Sequence, residues 1–165
     1  MRRAGRTVDT TPSFPGIMIA GACRFWSLTP MPSRELTTPD SLQELDDLIE
    51  SSREILALQP GWDGEDASSV EESTWERATE FLRRNASILW TKYGRGIESP
   101  TLVPVADGSI DLHWNLASHE LLINIPPGES QWADYYGDNR QGGSIVKGTL
   151  DTKAANHWLF VWLCE

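Results

Sequence analysis

Ile110-Asp111-Leu112-His113-Trp114-Asn115-Leu116 is the stretch that decides the fold. Its apolar residues occupy every second position, and Asp111, His113 and Asn115 fill the gaps. Alternation with period 2 marks a strand with one face buried and the other wet. The same period continues on both sides. Thr101–Val105 reads as a short strand, and Asp107-Gly108 is the turn signal of a hairpin. After a turn at Ala117–His119, Leu121, Ile123 and Ile125 form the next strand. Pro126-Pro127-Gly128 turns the chain again. Gln131–Tyr136 and Ser144–Thr149 read as a fourth and a fifth strand, joined through Asp138-Asn139-Arg140-Gln141-Gly142-Gly143. Connections this short permit only antiparallel neighbours.

Upstream the period lengthens to that of a helix. Leu42, Leu45, Leu48, Ile49, Ile55 and Leu56 recur at helical spacing, with Asp46, Asp47, Glu50 and Arg53 on the other side. This predicts an amphipathic helix of about 16 residues. Ser41 and Glu44 stand in capping-box spacing at its start. Pro60-Gly61 ends it. Ser69 and Glu72 repeat the capping box, and Val70, Thr74, Ala78, Phe81, Leu82 and Leu89 mark a second helix from Val70 to about Ile88. Asp151 is expected to cap a last helix whose Ala155, Trp158, Leu159 and Trp162 face the sheet. The fold class is therefore α+β. An antiparallel β-meander of about five strands packs against two N-terminal helices and one C-terminal helix. With the helices on one face, the other face of the sheet is left to water or to a ligand.

The chain has 165 residues, enough for one domain with a core. That domain is expected to span residues 40–165. Residues 1–39 hold Pro12, Pro15, Pro30, Pro32 and Pro39 and no sustained period. They read as a disordered extension or one with a mis-assigned start, with Met31 as the alternative initiator. An export signal ending at Cys23 would need a cleaner apolar run than Pro15-Gly16 permits. No apolar run approaches the roughly 18–20 residues of a membrane span.

Net charge narrows the function classes. Residues 1–30 carry four arginines against Asp9, a balance of +3, so residues 31–165 carry −13 of the total of −10. Such a domain is repelled by phosphate backbones, and no direct nucleic-acid binding is expected. An acidic mimic of nucleic acid stays open. Two cysteines near opposite ends make neither a disulfide framework nor a zinc site, so a reducing, cytoplasmic setting is expected. No cofactor or metal is expected. Eight tryptophans are first read as core material.

Gly61-Trp62-Asp63-Gly64, the helix with Ala78 and Phe81-Leu82, the strand from Pro100 to Pro104, Asp107-Gly108-Ser109-Ile110 and Leu112-His113-Trp114 occur in that order. Together they resemble a group of small bacterial proteins in which a GWDG turn precedes a helix and a strand ending in Trp follows a DG turn. The resemblance covers roughly residues 50–160. It implies a bacterial or phage source, a compact α+β domain and no catalytic residues. Glu65 stands where that group often has an aromatic, and His113 where it often has a glutamate.

Asp63, Glu65 and Asp66 form an acidic loop whose spacing is not that of a calcium loop, so turn chemistry is its simplest role. Trp62, between two glycines, is expected to anchor inward between the helices. Asp111 and His113, two apart on one strand face, are the candidate catalytic pair, a carboxylate able to orient an imidazole. No motif supplies a nucleophile for them, and His119 is the only nearby third metal ligand. Trp62, Asp63, Glu65, Tyr135 and Tyr136 are the candidate binding residues. Tyr135 and Tyr136 have opposite phase, so one of them should be exposed. The reading that follows is a small acidic non-catalytic module that binds another protein, such as a regulatory, antitoxin-like or immunity-like member of a gene pair. The rivals are a metal-assisted or His-dependent hydrolase and a nucleic-acid mimic.

Overall fold

The computed structural model describes residues 40–165; the extension 1–39, with Cys23, lies outside the described residues. Helix α1 spans Asp40–Ser51 and runs into a short 3-10 helix, Ser52–Ala57. Helix α2 spans Glu72–Tyr93. Five strands follow, β1 Thr101–Pro104, β2 Ile110–Asn115, β3 His119–Ile125, β4 Trp132–Asn139 and β5 Ser144–Asp151, and helix α3, His157–Leu163, closes the order. The sheet order is β1-β2-β3-β4-β5 with every neighbour antiparallel, which is the expected meander.

The period-2 residues sit where their spacing puts them. Ile110, Leu112 and Trp114 of β2 and Leu121, Ile123 and Ile125 of β3 are all buried on the inner face. Helix α2 covers them with Ala78, Phe81, Leu82 and Leu89, and α3 adds Leu159, Phe160 and Leu163. Phe160 joins the layers, with its ring centroid 5.9 Å from Phe81 and 5.5 Å from Trp114, the latter edge-on. Helix α1 packs on α2 through Leu45 and Ile49.

Element boundaries differ from the sequence reading at several places, each for a local reason. The first helix tightens into the 3-10 form at Ser52. Ser51 Oγ and Ser52 Oγ donate to the carbonyls of Leu48 and Ile49, which draws the last turn inward. Ser41 lies inside α1 rather than capping it. In α2 the residue before the helix is Glu71, with extended backbone and no side-chain cap, so the Ser69–Glu72 box does not form. The helix continues past Ile88, where Leu89 is still a core residue, to Tyr93, and Gly94 ends it in the left-handed conformation. Asp151 ends β5 instead of capping α3; its Oδ1 accepts the Lys153 N–H at 2.8 Å. Asn156 precedes α3, and its N–H donates to Asn85 Oδ1 of α2 at 2.9 Å. This bond turns α3 so that Leu159, Phe160 and Leu163 face inward, while Ala155 and Trp158 are exposed.

Strand β4 runs three residues beyond Tyr136 because Gly137 can lie beneath Trp162. A methyl group on Gly137 would stand 2.6 Å from the Trp162 ring and 2.9 Å from Val146 Cγ2. At the other end of the sheet, Arg77 of α2 donates to the carbonyls of Pro126 and Gly128 and fastens the β3–β4 turn to the helix. Burial of that guanidinium lowers its pKa from the ordinary arginine value.

Two outcomes test this packing. Gly137→Ala should destabilise the domain by about 1–3 kcal/mol through overpacking, and adding Trp162→Leu should return part of the loss in denaturant unfolding. Leu112→Asp should abolish the cooperative melt by burying an unpaired carboxylate. His113→Ala, one residue along, should stay within about 1 kcal/mol of the parent, as loss of a half-exposed hydrogen bond does.

Candidate functional site

The outer face of the sheet collects the residues that β-strand alternation turns away from the helices. Strand register aligns them in rows across the sheet. Thr101, His113, Leu122, Tyr136 and Lys147 form one row, and Val103, Asp111, Asn124, Asp134 and Thr149 the next. Asn115, Glu120, Asp138 and Ile145 form a third, and Trp132 pairs with Asp151. Four large apolar side chains stand open here: Ile145 at 59% exposure, Trp132 at 55%, Tyr136 at 42% and Val103 at 40%.

Asp111 and His113 both lie on this face, but they do not form the expected pair. Asp111 Oδ1 accepts from Asn124 Nδ2, its cross-strand neighbour, at 2.7 Å. His113 Nε2 lies 2.9 Å from Glu120 Oε1 on β3, diagonally across the ladder. Glu120 in turn accepts from Arg140 Nη2 at 2.8 Å, and Arg140 also donates to Asn115 Oδ1 and to the Leu116 carbonyl. The result is a chain His113–Glu120–Arg140 that clamps the β2–β3 turn. The hydrogen bond from Arg140, with that of His113 second, lowers the Glu120 pKa from its ordinary 4.5. A carboxylate held ionised between two partners is a poor proton acceptor. Among the described residues, His113 bonds no hydroxyl or thiol.

The other candidates are dispersed. Tyr136 shares the outer row of His113, whereas Tyr135 lies on the inner face, half-buried, with its ring edge-on to Trp158 at 5.8 Å. His119 is also on the inner face, edge-on to Trp162 at 4.8 Å, so it shares no site with His113. Among the described residues no group of three or more His, Cys, Asp or Glu is placed to hold a metal ion.

The Trp62–Glu65 loop is away from the sheet rows and closed on itself. Gly61 and Gly64 both have positive φ, 79° and 87°, conformations that glycine adopts without strain. The Gly64 N–H donates to the Gly61 carbonyl at 2.9 Å. Asp63 Oδ1 accepts the N–H groups of Glu65 and Ala67, so its carboxylate is occupied with the turn. Trp62 is half-buried rather than enclosed between the helices, because its Nε1 reaches the Ser68 carbonyl at 3.1 Å and holds the ring at the loop surface. Glu65 is exposed.

Sequence reasoning missed Trp132 as an outward residue, and it missed Glu120 and Arg140. The expected turn at Ala117–His119 would set Glu120 opposite Leu116; the observed turn is the two residues Ala117-Ser118, closed by the Leu116 N–H on the His119 carbonyl, and this one-residue shift pairs Asn115 with Glu120 and puts His113 on its diagonal.

Of the grooves in the described surface, one of about 470 Å³ lies between the 3-10 helix and β1, with Leu48, Ile55, Leu58 and Leu102 in its wall. One of about 280 Å³ lies beside Arg77 and Arg84, and one of about 300 Å³ beside Cys164, whose thiol is pushed up by burial. None of the three is lined by Asp111 or His113. Among the described residues no helix is long and apolar enough to cross a membrane. No family model, no curated protein and no solved structure matches the chain, so the likeness to proteins with a GWDG turn rests on the residues that carry it.

The electrostatic chain has a direct check. Because the folded-state pKa of Glu120 is the lower one, the stability from this carboxylate is present above pH 4.5 and is lost as pH falls through the folded value. Arg140→Gln should move the Glu120 titration, followed by carboxyl carbon resonances, up towards 4.5. No movement would show that Arg140 does not hold the carboxylate.

Proposed function

We propose that this chain is a non-catalytic protein-binding module, and that the outer face of its sheet takes a cationic, partly apolar surface on another protein. One observation carries the reading: Trp132, Tyr136 and Ile145, at the β4–β5 side, and Val103 on β1 are all exposed on a sheet face that also bears Asp134, Asp138 and Asp151. Tryptophan and tyrosine are among the residues that most often dominate binding energy at interfaces. The surrounding carboxylates and the −13 charge over residues 31–165 favour a basic partner and fast, salt-sensitive association. The small size and the likeness to bacterial proteins with a GWDG turn fit a regulatory, antitoxin-like or immunity-like component of bacterial or phage origin.

The rival readings have less to stand on. A hydrolase built on His113 needs a nucleophile or a metal beside it, and Glu120 is already engaged on both sides. A nucleic-acid mimic needs an unbroken acidic stripe. α1 carries carboxylates and no arginine, but Arg83 of α2 bonds to its Asp46, and on α2 itself Arg77, Arg83 and Arg84 stand among Glu72, Glu76 and Glu80, with Arg84 facing Glu80.

Affinity capture with the full chain as bait from bacterial lysate, followed by calorimetry with the purified captured protein, tests the reading. Trp132→Ala and Tyr136→Ala should each weaken binding by roughly 30-fold or more, about 2 kcal/mol, while the melting temperature is kept. Glu50→Ala on the helical side should leave affinity unchanged. A captured protein that binds the two sheet variants as tightly as the parent would place its site elsewhere and overturn the assignment.

A further inference from the structure

The two edges of the sheet are finished differently. β1 is four residues long, preceded by Pro100 and ended by Pro104, and proline has no N–H to offer an incoming strand. β5 is eight residues long and contains no proline. Its residues Ser144–Thr149 are exposed or half-exposed. Among the described residues, only β4 hydrogen-bonds to the backbone of residues 144–150. Half of the backbone groups of such a strand point away from its one neighbour, and a long open edge is a template for another strand.

We propose that β5 is a self-association edge, through which two copies of the chain join antiparallel into one continuous sheet. The side chains of β5 complement their own copy. A two-fold axis through the sheet pairs residues of the same face. With the axis at Gly148, Val146 faces Leu150 of the second copy on the inner side. On the outer side Lys147 faces Thr149 and stands diagonal to Asp151 of the second copy, within reach of a long side chain. With the axis at Thr149, Lys147 lies directly opposite Asp151. Both registers form the ammonium–carboxylate pair twice. An axis at Lys147 would set two ammonium groups side by side and is disfavoured. Lys147 forms no ion pair within the described residues, so it is available for this one. The inference does not depend on the binding role proposed for the outer face.

Sedimentation of the full chain over a rising concentration series is the test. A strand-to-strand joint buries little side-chain surface, so a weak monomer–dimer equilibrium is expected. Lys147→Asp and Asp151→Lys should each weaken it about tenfold or more, and the two together should restore it. Hydrogen exchange on the unaltered chain gives a readout that needs no variant: amides of residues 144–151 should be protected at high concentration and exchange faster on dilution. A monomer at every concentration, a dimer indifferent to both charge reversals, a double variant that stays dissociated, or β5 exchange independent of concentration would each overturn the proposal.

Discussion

Everything in this domain depends on one apolar layer, the inner face of β2 and β3 held beneath α2. Trp114, Leu112 and Ile123 have nowhere else to be buried, and Phe81 and Leu82 have no other partner of that size. Phe160 of α3 enters the same layer from the end of the chain and touches both sides. Removing a single large side chain from such a layer costs about 3–5 kcal/mol, a large part of the stability of a small domain. The polar ties serve this layer. Arg77 holds the β3–β4 turn to α2, Arg84 reaches the Thr152 carbonyl, and Asn85 accepts the N–H that orients α3. All three arise from one stretch of α2, so this helix sets the position of the β3–β4 turn, of the end of β5 beside it and of α3.

A core built on one side of a sheet leaves the other side open, and the sequence states this by alternation. The period-2 pattern at Ile110–Leu116 and Leu121–Ile125 was readable because burial on one face of a strand leaves a regular trace. β4 and β5 were harder. Gly137 interrupts the apolar phase, and its place inside the strand follows from the Trp162 ring lying over it, a contact between segments distant in sequence. The helix starts failed for a related reason. Capping boxes are short patterns, and at Ser69–Glu72 the chain is extended so that Val70 can enter the core before the helix begins. Tertiary burial outweighed the roughly 1 kcal/mol that a cap contributes.

Less of the candidate site was legible. Asp111 and His113 were placed correctly on the wet face, yet each found a partner on β3 instead of the other. Side chains two apart on a strand are about 7 Å apart along the chain; a directly opposite neighbour, as Asn124 is to Asp111, stands closer, and a diagonal one, as Glu120 is to His113, is at a similar distance and within reach of a long side chain. A pairing argument confined to one strand therefore overlooks the competitors on the next. Arg140 was invisible for another reason: it leaves the end of β4, and only the antiparallel register carries it back to the β2–β3 turn.

The tryptophans show where composition misleads. Eight of them suggested a core rich in indole, but of those among the described residues only Trp75 and Trp114 are buried. Both bond through Nε1, to Ser52 Oγ and to the Glu98 carbonyl, as a buried indole must. Trp62 and Trp162 are half-buried, and Trp90, Trp132 and Trp158 are exposed. Exposed indoles cost solubility that a charge of −13 helps to offset. The same carboxylates that keep such a face in solution also select what can cover it. An acidic surface repels its own copies face to face, which leaves the near-neutral β5 edge, with Lys147 and Asp151, as the place where two copies can approach. Charge thus separates the two proposed contacts of the sheet, a basic protein on the face and a second copy of the chain at the edge.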